Sequence, residues 1–439
     1  MKHFAALFLF MSLAALFSMG CRKTADSAAN PPNPPSDADQ DDGPPGVASP
    51  DVLALAQGNN EFAFDLYARL AKKDGNVVFS PYSISSALAM TYAGARGTTA
   101  DEMAKTLRFP LKPERLHPAF ADLSDRTMRA GKHRAGQLLV ANSLWGQHGY
   151  ALRDDFLRLT RDDYHAEMKE VDFQGDTEGA RQAINGWVEL QTQNMIRELL
   201  KPGTLNPQSR LVLVNAIYFH LLWATPFLAD QTKEAPFRTL SGERVRVPMM
   251  RVTDQFSYCE EDGVQVLELP YQHKSLSMIV ILPQAGEGSG AVEGALTEAR
   301  VEKWLTNLAP REVIVTLPKF TATCDFQLGE ELRALGMRLA FQSGQEGQLG
   351  ADFSGIGDQA IGSAGSLHIS EVVHQARVEV SEEGTKAVAA TAVVTEVPNS
   401  AVKPLRWVTF QADHPFFFLI HDQDTGSIMF VGRFTRPGA

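Results

Sequence analysis

Histidine, cysteine and serine side chains can support hydrolytic, redox or metal chemistry, but their spacing in this sequence is not typical of such sites. A GxSxG elbow, an HExxH motif, a GxxxxGK[ST] loop and a paired CxxC are all missing from the 439 residues. At residues 286–294 the third glycine falls one residue too early for a dinucleotide-binding loop, which indicates a surface turn. The scattered histidines leave a Ser/His/Asp triad open without favouring one. We predict no catalytic residue, no metal and no cofactor, so the chain is not expected to be an enzyme.

The composition excludes one class of partner. Of all residues, 44% are hydrophobic and 21% are charged, which is typical of a globular protein with a large core. The formal net charge is -11 and no basic cluster occurs, so a nucleic-acid binder is not expected. Cys259 and Cys324 are far apart in the sequence and are predicted to be buried free thiols, with a disulfide between them as the alternative.

The N-terminus has the pattern of an export signal. The apolar run at residues 4–17 is too short to cross a membrane as a helix, and we interpret residues 1–20 as a signal peptide. The stretch SMGC is similar to a bacterial lipobox that would attach a lipid to Cys21, with an ordinary cleaved signal as the alternative. We therefore expect an exported, lipid-anchored envelope protein, in the periplasm or at the cell surface, that touches a membrane only through this lipid.

Residues 21–50 are rich in Pro and Asp and predict a disordered tether, and residues 51–439 show no further linker and predict a single large domain. Phe62, Leu66 and Leu70 are four residues apart and predict a helix that is capped by Asn59 or Asn60. The stretch SPYSISSALAMTYAGARG, with small residues on nearly every side, predicts a second helix packed beneath another element. Thr99 and Glu102 have the spacing of a capping box for a third helix.

The later part of this domain has the pattern of β-structure. Short runs rich in Val, Ile and Leu, such as RLVLVNAIYF and REVIVTLP, predict strands from about residue 135 onward. Helices that come early and sheets that come later indicate an α+β class.

The segment EEGTKAVAATAVV, residues 382–394, reads as a strand but leads into an open loop. With the period of two that a strand requires, one face carries only small or β-branched uncharged residues, namely Thr385, Ala387, Ala389, Thr391, Val393 and Thr395. A permanent strand and an Ala-rich helix are the alternatives. Because ARVEV already predicts a strand, a second strand after Gly384 must either turn back or continue in line.

The chain resembles the serpin family over residues 51–439. The stretches that carry the resemblance follow in serpin order and spacing: NVVFSPYSISSALAM, LVNAIYFHLLWATPF, VPMM, LPKF, DFSGI, VHQARVEVSEEGTKAVAATAVV, ADHPFFFLI and SIMFVGRF. The resemblance implies three β-sheets, about nine helices and an exposed reactive-centre loop. It also implies a suicide inhibitor of proteases, because insertion of a cleaved loop into a sheet is a known property of serpins.

The resemblance assigns roles to three groups of residues. The hinge of inhibitory serpins is typically Glu, a second residue, Gly, Thr or Ser and then small residues, matched here by Glu382, Glu383, Gly384, Thr385, Ala387, Ala389 and Ala390. The polar shutter cluster beneath the main sheet maps onto Ser80, Ser83, Asn215 and His374. Trp223 matches the tryptophan at the breach, where loop insertion begins.

The family's usual spacing from Gly384 places the reactive bond between Pro398 and Asn399. Few serine proteases cleave after proline, and the loop is longer than in short-looped serpins, so we predict the bond between Asn399 and Ser400 and keep the former as the alternative. Aliphatic residues before the bond suit an elastase-like or subtilisin-like serine protease, and a papain-like cysteine protease is a further alternative. We expect a monomer. The alternative function is a non-inhibitory serpin that acts as a binding module or protease substrate, which the proline near the bond favours.

Overall fold

The computed structural model describes residues 46–132, 136–166, 168–272, 275–284, 296–344, 350–357, 367–384 and 407–437. The predicted signal peptide, the predicted lipidation site Cys21 and most of the predicted tether lie outside these residues. Within the described ranges, no helix is both long and apolar enough to cross a membrane.

Eight α-helices are present in the described part of the chain. They are α1 (Pro50–Leu70), α2 (Pro81–Gly94), α3 (Gly97–Thr106), α4 (Pro113–Lys132), α5 (Asp154–Tyr164), α6 (Thr177–Gln191), α7 (Glu298–Thr306) and α8 (Gly329–Leu335). Two short 3-10 helices span Ala229–Gln231 and Leu339–Phe341.

The same ranges contain fourteen strands. They are β1 (Val77–Phe79), β2 (Gly136–Gln147), β3 (Met168–Val171), β4 (Leu211–Leu221), β5 (Lys233–Arg238), β6 (Arg244–Glu261), β7 (Val264–Pro270), β8 (Leu276–Pro283), β9 (Ala309–Pro318), β10 (Phe320–Gln327), β11 (Ile369–Val380), β12 (Val408–Gln411), β13 (Phe416–Asp422) and β14 (Ile428–Phe434). The α+β class is confirmed.

The strands form two hydrogen-bonded sheets instead of the three that were expected. The larger has the order β1-β14-β13-β8-β7-β6-β9-β12, with β5 also paired to β6, and the smaller has the order β10-β11-β4-β2-β3. The 18-residue β6 pairs with β5 through its first residues and with β7 through its last. Two of the expected sheets are therefore joined into one, because they share this long strand.

Helix α2 lies between the two sheets. It contacts β14 of the larger sheet and β2 and β4 of the smaller one, and it is buried on nearly every side. This confirms the tightly packed helix that its small residues predict. The largest apolar core surrounds α2, and a second core fills the space between the other face of the smaller sheet and α6. The smaller sheet is therefore covered on both faces.

Helix α1 begins at Pro50, so the predicted cap at Asn59 or Asn60 is wrong. Ser49 caps the helix, because its side chain accepts a hydrogen bond from the backbone N–H of Val52 at 3.3 Å. Gly58, which reads as a helix breaker, lies inside α1. A Cβ at this position would stand 2.2 Å from the carbonyl oxygen of Arg108, so the glycine allows a close contact with the chain after α3.

The folded body begins inside the predicted 21–50 tether. The guanidinium of Arg126 on α4 donates a hydrogen bond to the carbonyl oxygen of Gly46 at 2.7 Å. Ala48 is buried against the core. Residues 46–50 therefore belong to the packed structure.

The predicted capping box of α3 is also wrong, because the helix begins at Gly97 and Thr99 lies within it. The Thr99 hydroxyl accepts a hydrogen bond from the backbone N–H of Asp352 at 3.0 Å. The Glu102 carboxylate accepts hydrogen bonds from the backbone N–H groups of Arg338 and Leu339 at 2.8 and 2.7 Å. Both side chains serve distant segments instead of their own helix.

Candidate functional site

Strands β11 and β4 form the parallel pair at the centre of the five-stranded sheet. Their register runs from Ile369 and Leu211 to Val378 and Phe219, and both strands continue past this last pair. We call this contact the seam. Each of its strands is paired antiparallel on the other side, β11 with β10 and β4 with β2.

Residues 381–384, the hinge turn, lie at the end of the seam where the pairing stops. The hydroxyl of Ser381 donates a hydrogen bond to the carbonyl oxygen of Gly384 at 2.9 Å. Gly384 has a φ of +76°, and a Cβ there would stand 2.2 Å from the Cα of Leu222, directly after β4. Only glycine fits this combination of backbone conformation and close packing.

Trp223 holds the hinge turn from the β4 side. Its indole N–H donates a hydrogen bond to the carbonyl oxygen of Ser381 at 2.9 Å. Its backbone N–H donates a hydrogen bond to the carbonyl oxygen of Glu383 at 3.4 Å. The indole is buried and stacks on Tyr271 with 4.5 Å between ring centroids. The structure thus brings Trp223 to the predicted hinge residues Glu382, Glu383 and Gly384.

Glu382 fixes the hinge turn by its carboxylate and by its backbone. The carboxylate accepts hydrogen bonds from Lys319 Nζ at 2.8 Å and from the Thr232 hydroxyl at 3.0 Å. Its carbonyl oxygen accepts from the backbone N–H of Phe227 at 2.8 Å. Burial alone would raise the pKa of Glu382, but the bonds from Lys319, the backbone and Thr232 outweigh it and hold this pKa below its ordinary value. Glu382 is therefore a charged anchor at neutral pH.

A second cluster crosses the seam in the middle of the sheet. The register places His374 of β11, Asn215 of β4 and Asn142 of β2 side by side, and we call these three residues the polar row. His374 Nδ1 donates to the Oδ1 of Asn215, and the Nδ2 of Asn215 donates to the Oδ1 of Asn142. Ser80 and Ser83, at the start of α2, lie directly beneath this row.

Hydrogen bonds tie the polar row to α2. The backbone N–H of Ser80 donates to His374 Nε2 at 3.1 Å, which makes this nitrogen the acceptor and Nδ1 the donor. The Ser83 hydroxyl donates to the Asn142 Oδ1 at 3.1 Å and accepts from Asn215 Nδ2. The four predicted shutter residues therefore share one network with Asn142.

Burial lowers the pKa of His374 to about 3, so the ring is neutral near pH 7. The ring also stacks in parallel on Phe326 of β10 at 6.5 Å. A neutral ring is what the network requires, because a second ring proton would remove the acceptor that Ser80 uses.

Sequence reasoning missed three members of these clusters. Asn142 is a polar residue in the apolar stretch QLLVANSLW, and that contrast is the only signal it gives. Lys319 lies in LPKF, one of the stretches that carry the family resemblance, but nothing in the sequence pairs it with Glu382. Thr232 has no sequence signal.

The other predicted site residues lie outside the described part of the chain. They are the hinge residues Thr385, Ala387, Ala389 and Ala390, the reactive-bond residues Pro398, Asn399 and Ser400, and Cys21. Cys259 and Cys324 are free thiols, and burial raises the pKa of each to about 11. Among the described residues, no group of three or more His, Cys, Asp or Glu side chains has an arrangement that could hold a metal ion.

The chain is similar to known proteins over most of its length. A family model described as Serpin (serine protease inhibitor) matches residues 57–437. An uncharacterized serpin-like protein of Thermococcus kodakarensis is 41% identical over 86% of this chain and 84% of its own length. The leukocyte elastase inhibitor of Homo sapiens is 39% identical over 87% of this chain and 99% of its own length.

Solved structures share the fold. Uncleaved ovalbumin superposes with a TM-score of 0.77 at 30% identity, covering 88% of this chain and all of that chain. Maspin gives a TM-score of 0.78 at 28% identity, covering 89% of this chain and all of that chain. With sequence relatives, solved structures and the arrangement of strands in agreement, the chain belongs to the serpin family of protease inhibitors.

Proposed function

We propose that this serpin inhibits proteases as a suicide substrate. The target protease cleaves within the loop that follows Gly384, and the cleaved loop then enters the seam while the enzyme is still attached. The observation that carries this proposal is the geometry of the seam and the hinge turn. A strand that turns back after residue 384 runs antiparallel to β11, and because β11 and β4 are parallel it also runs antiparallel to β4. Insertion would replace one parallel contact by two antiparallel ones, which are slightly more stable per residue.

The length of β11 supports the predicted position of the reactive bond. Strand β11 has 12 residues, so a strand that fills the seam beside it would use residues 385–396. The bond between Asn399 and Ser400 lies three residues beyond this segment, and the bond between Pro398 and Asn399 lies two residues beyond it. An attached protease would be carried about 40 Å along the sheet, and displacements of about 1 Å in an active site already cost about 100-fold in rate.

The proposed target is a serine protease with an elastase-like cleft. Several relatives are named leukocyte elastase inhibitors, with 37–39% identity over 87% of this chain. Val393, Val394 and Val397 precede the bond and would fit a cleft that prefers small aliphatic side chains. Subtilisin-like and papain-like enzymes are the alternative targets, and the protease panel described next includes both.

Incubation with elastase-, subtilisin-, trypsin-, prolyl- and papain-type proteases tests this function, with mass spectrometry of the released C-terminal fragment to locate the bond. We expect a complex that survives boiling in detergent and a higher melting temperature for the cleaved protein. A Thr391→Arg variant should be cleaved without trapping the enzyme, because the inserted strand would bury a charge, whereas Thr391→Ser should behave like the parent chain. Cleavage of the parent chain with neither complex nor thermal gain would favour the non-inhibitory alternative.

We also propose that the chain is exported and held by a lipid on Cys21, as a monomer on a bacterial envelope. The support is the residue pattern of the N-terminus. Metabolic labelling with palmitate should mark the parent chain and leave a Cys21→Ser variant unmarked. Label that persists in the variant would contradict this proposal.

A further inference from the structure

A second polar cluster crosses the seam at its hinge end, on the face of the sheet opposite to the polar row. Tyr218 of β4 and Arg377 of β11 are directly paired in the register, and His220 and Glu379 lie two residues further along the same two strands. Because side chains alternate between the faces of a sheet, all four lie on one face. Tyr218 belongs to the core on the α6 side, whereas the polar row lies over α2. We call these four residues the clasp.

Three contacts of the clasp connect the two sides of the seam. His220 Nδ1 lies 3.5 Å from the Oε2 of Glu379, and the guanidinium of Arg377 stands 5.7 Å from the centre of the Tyr218 ring. His220 Nε2 also lies 3.5 Å from the hydroxyl oxygen of Ser381 in the hinge turn. The side chains of His220 and Glu379 are only 11% and 22% exposed, so these contacts are largely protected from water.

The hydrogen bonds of the hinge turn fix the tautomer of His220. The Ser381 hydroxyl donates its only proton to the carbonyl oxygen of Gly384, so its oxygen must accept and His220 Nε2 must donate. The Nδ1 of a neutral ring is then an acceptor, and the Tyr218 hydroxyl lies 3.3 Å from it. Burial and then the Glu379 carboxylate raise the pKa of Tyr218 to about 12, so this hydroxyl keeps its proton. Both nitrogens of the neutral ring therefore have partners.

The charges around His220 oppose a second proton on its ring. Among the described residues, Glu379 and Arg377 of β11 are the charged groups that face it, Tyr218 is neutral, and its neighbour on β2 is the uncharged Gln137. Arg377 Nε donates to the Glu379 carboxylate at 3.0 Å, so these two charges already balance and a proton on His220 would add a net charge. Burial lowers the pKa of His220, the Glu379 carboxylate opposes this shift, and the Arg377 guanidinium adds to it. The ring is neutral at pH 7.

We propose that the clasp is the first contact to part when the loop enters the seam, and that His220 and Glu379 limit the rate of this entry. The loop follows Gly384, so its first residues reach the seam at the end that the clasp occupies. An inserted strand would move β4 and β11 from about 5 Å to about 10 Å apart, which breaks all three contacts across the seam. Glu379 would keep Arg377 and His220 would keep Tyr218, because each of these pairs lies on a single strand.

Entry of a synthetic peptide measures this step without a protease. The peptide TKAVAATAVVTE has the sequence of residues 385–396, and a fluorescent label reports its incorporation into the uncleaved full-length chain on native gels. His220→Leu and Glu379→Ala each remove the contact between the two residues, so each should speed up entry about fivefold, as for the loss of one ordinary hydrogen bond. The double variant should also gain only about fivefold, because both substitutions remove the same contact. A gain of about 25-fold in the double variant would contradict a direct contact.

Gln137→Ala is the matched control. Gln137 lies opposite His220 on the other side of β4, and its side chain donates to Gln193 at 3.3 Å instead of bonding across the seam. Entry into this variant should differ by less than about twofold from entry into the parent, and near-ultraviolet circular dichroism reports whether each variant is folded. Equal acceleration by Gln137→Ala and His220→Leu would show that general loosening of the sheet controls entry, and would contradict the clasp.

The pH profile separates His220 from a residue that only packs. The closed seam holds the pKa of His220 below its ordinary value of 6.5, and separation of the strands would hydrate the ring and return its pKa toward that value. Protonation below pH 6.5 therefore favours the parted clasp, so entry into the parent should be several-fold faster at pH 5.5 than at pH 7.5, with a ceiling of about tenfold. His220→Leu should show an acceleration that is smaller by at least about twofold. Equal pH profiles for the parent and His220→Leu would contradict the role of this ring.

This inference rests on the proposed function, because it concerns the rate of the proposed insertion, but the two fail differently. If the peptide enters the parent and every variant at one rate, the clasp is wrong and the proposed inhibition is unaffected. If the peptide enters none of these proteins, the seam does not admit a strand, and both the clasp and the proposed inhibition are wrong.

Discussion

Reversal of the charge at Glu382 tests whether this residue anchors the hinge turn. In the parent chain the side chain of Glu382 is only 13% exposed, and its carboxylate lies 2.8 Å from the Lys319 amine. A Glu382→Lys substitution removes this ion pair and the Thr232 hydrogen bond, together about 1–2 kcal/mol. It also brings two ammonium groups to within about 4 Å, which costs about 1–4 kcal/mol at effective dielectric constants between 80 and 20. We expect the free energy of unfolding to fall by about 3 kcal/mol.

Urea unfolding of four proteins measures this effect: the parent, Glu382→Lys, Lys319→Glu and the double variant that exchanges the two charges. The double variant restores an ion pair in the opposite sense, so it should be at least about 1 kcal/mol more stable than Glu382→Lys. Native gels should also show faster self-association of Glu382→Lys, because a released hinge turn leaves the end of the seam open. If the double variant is no more stable than Glu382→Lys, the anchor assigned to this pair is wrong.

Three further predictions concern the seam and the hinge turn. The pKa of His374 is lowered from 6.5 in the unfolded chain to about 3, so the free energy of unfolding should be highest above pH 6.5 and should decrease toward pH 3. About 2 kcal/mol should be lost at pH 5, and melting curves should show a smaller loss for His374→Gln. Gly384→Ala should lower the free energy of unfolding by about 2–3 kcal/mol. Gly203→Ala is the control, because Gly203 has a similar φ of +86° but an added Cβ would have no atom within 4 Å; this variant should lose only about 1 kcal/mol. Asn142→Ala should cost about 2 kcal/mol in urea unfolding, because it leaves two buried donors without an acceptor, and an unchanged midpoint would exclude Asn142 from the network.

Local sequence patterns predicted the elements better than they predicted the ends of the elements. The period of four in Phe62, Leu66 and Leu70 correctly indicates α1, but the helix begins earlier, at Pro50, and runs through Gly58, which lies close to Arg108. Thr99 and Glu102 have capping-box spacing but bind backbone groups of distant segments. In each case the residue makes a tertiary contact that the local sequence pattern does not predict.

The site itself was predictable only through the family resemblance. Ser80, Asn215 and His374 lie in three distant segments. The parallel register of β11 and β4 places His374 beside Asn215, and the position of α2 beneath the sheet brings Ser80 to His374. Lys319 and Thr232 stayed hidden for the same reason, since their shared partner Glu382 is remote from both in sequence. Composition and periodicity describe a strand and its buried face, but they do not state which strand lies beside it.

The arrangement of bonds in the polar row is compatible with a buried seam that holds together and separates during the proposed insertion. Separation of β11 from β4 would break the side-chain bond between His374 and Asn215, because this bond crosses the seam. His374 would keep its bond from the Ser80 N–H, and Asn215 would keep its bonds to Ser83 and Asn142. Each residue would keep a partner, and only the His374 Nδ1–H and the Asn215 Oδ1 would lose theirs. An apolar pair at these positions would hold the seam without offering each strand a separate partner, so the polar row would suit the strand insertion that we propose.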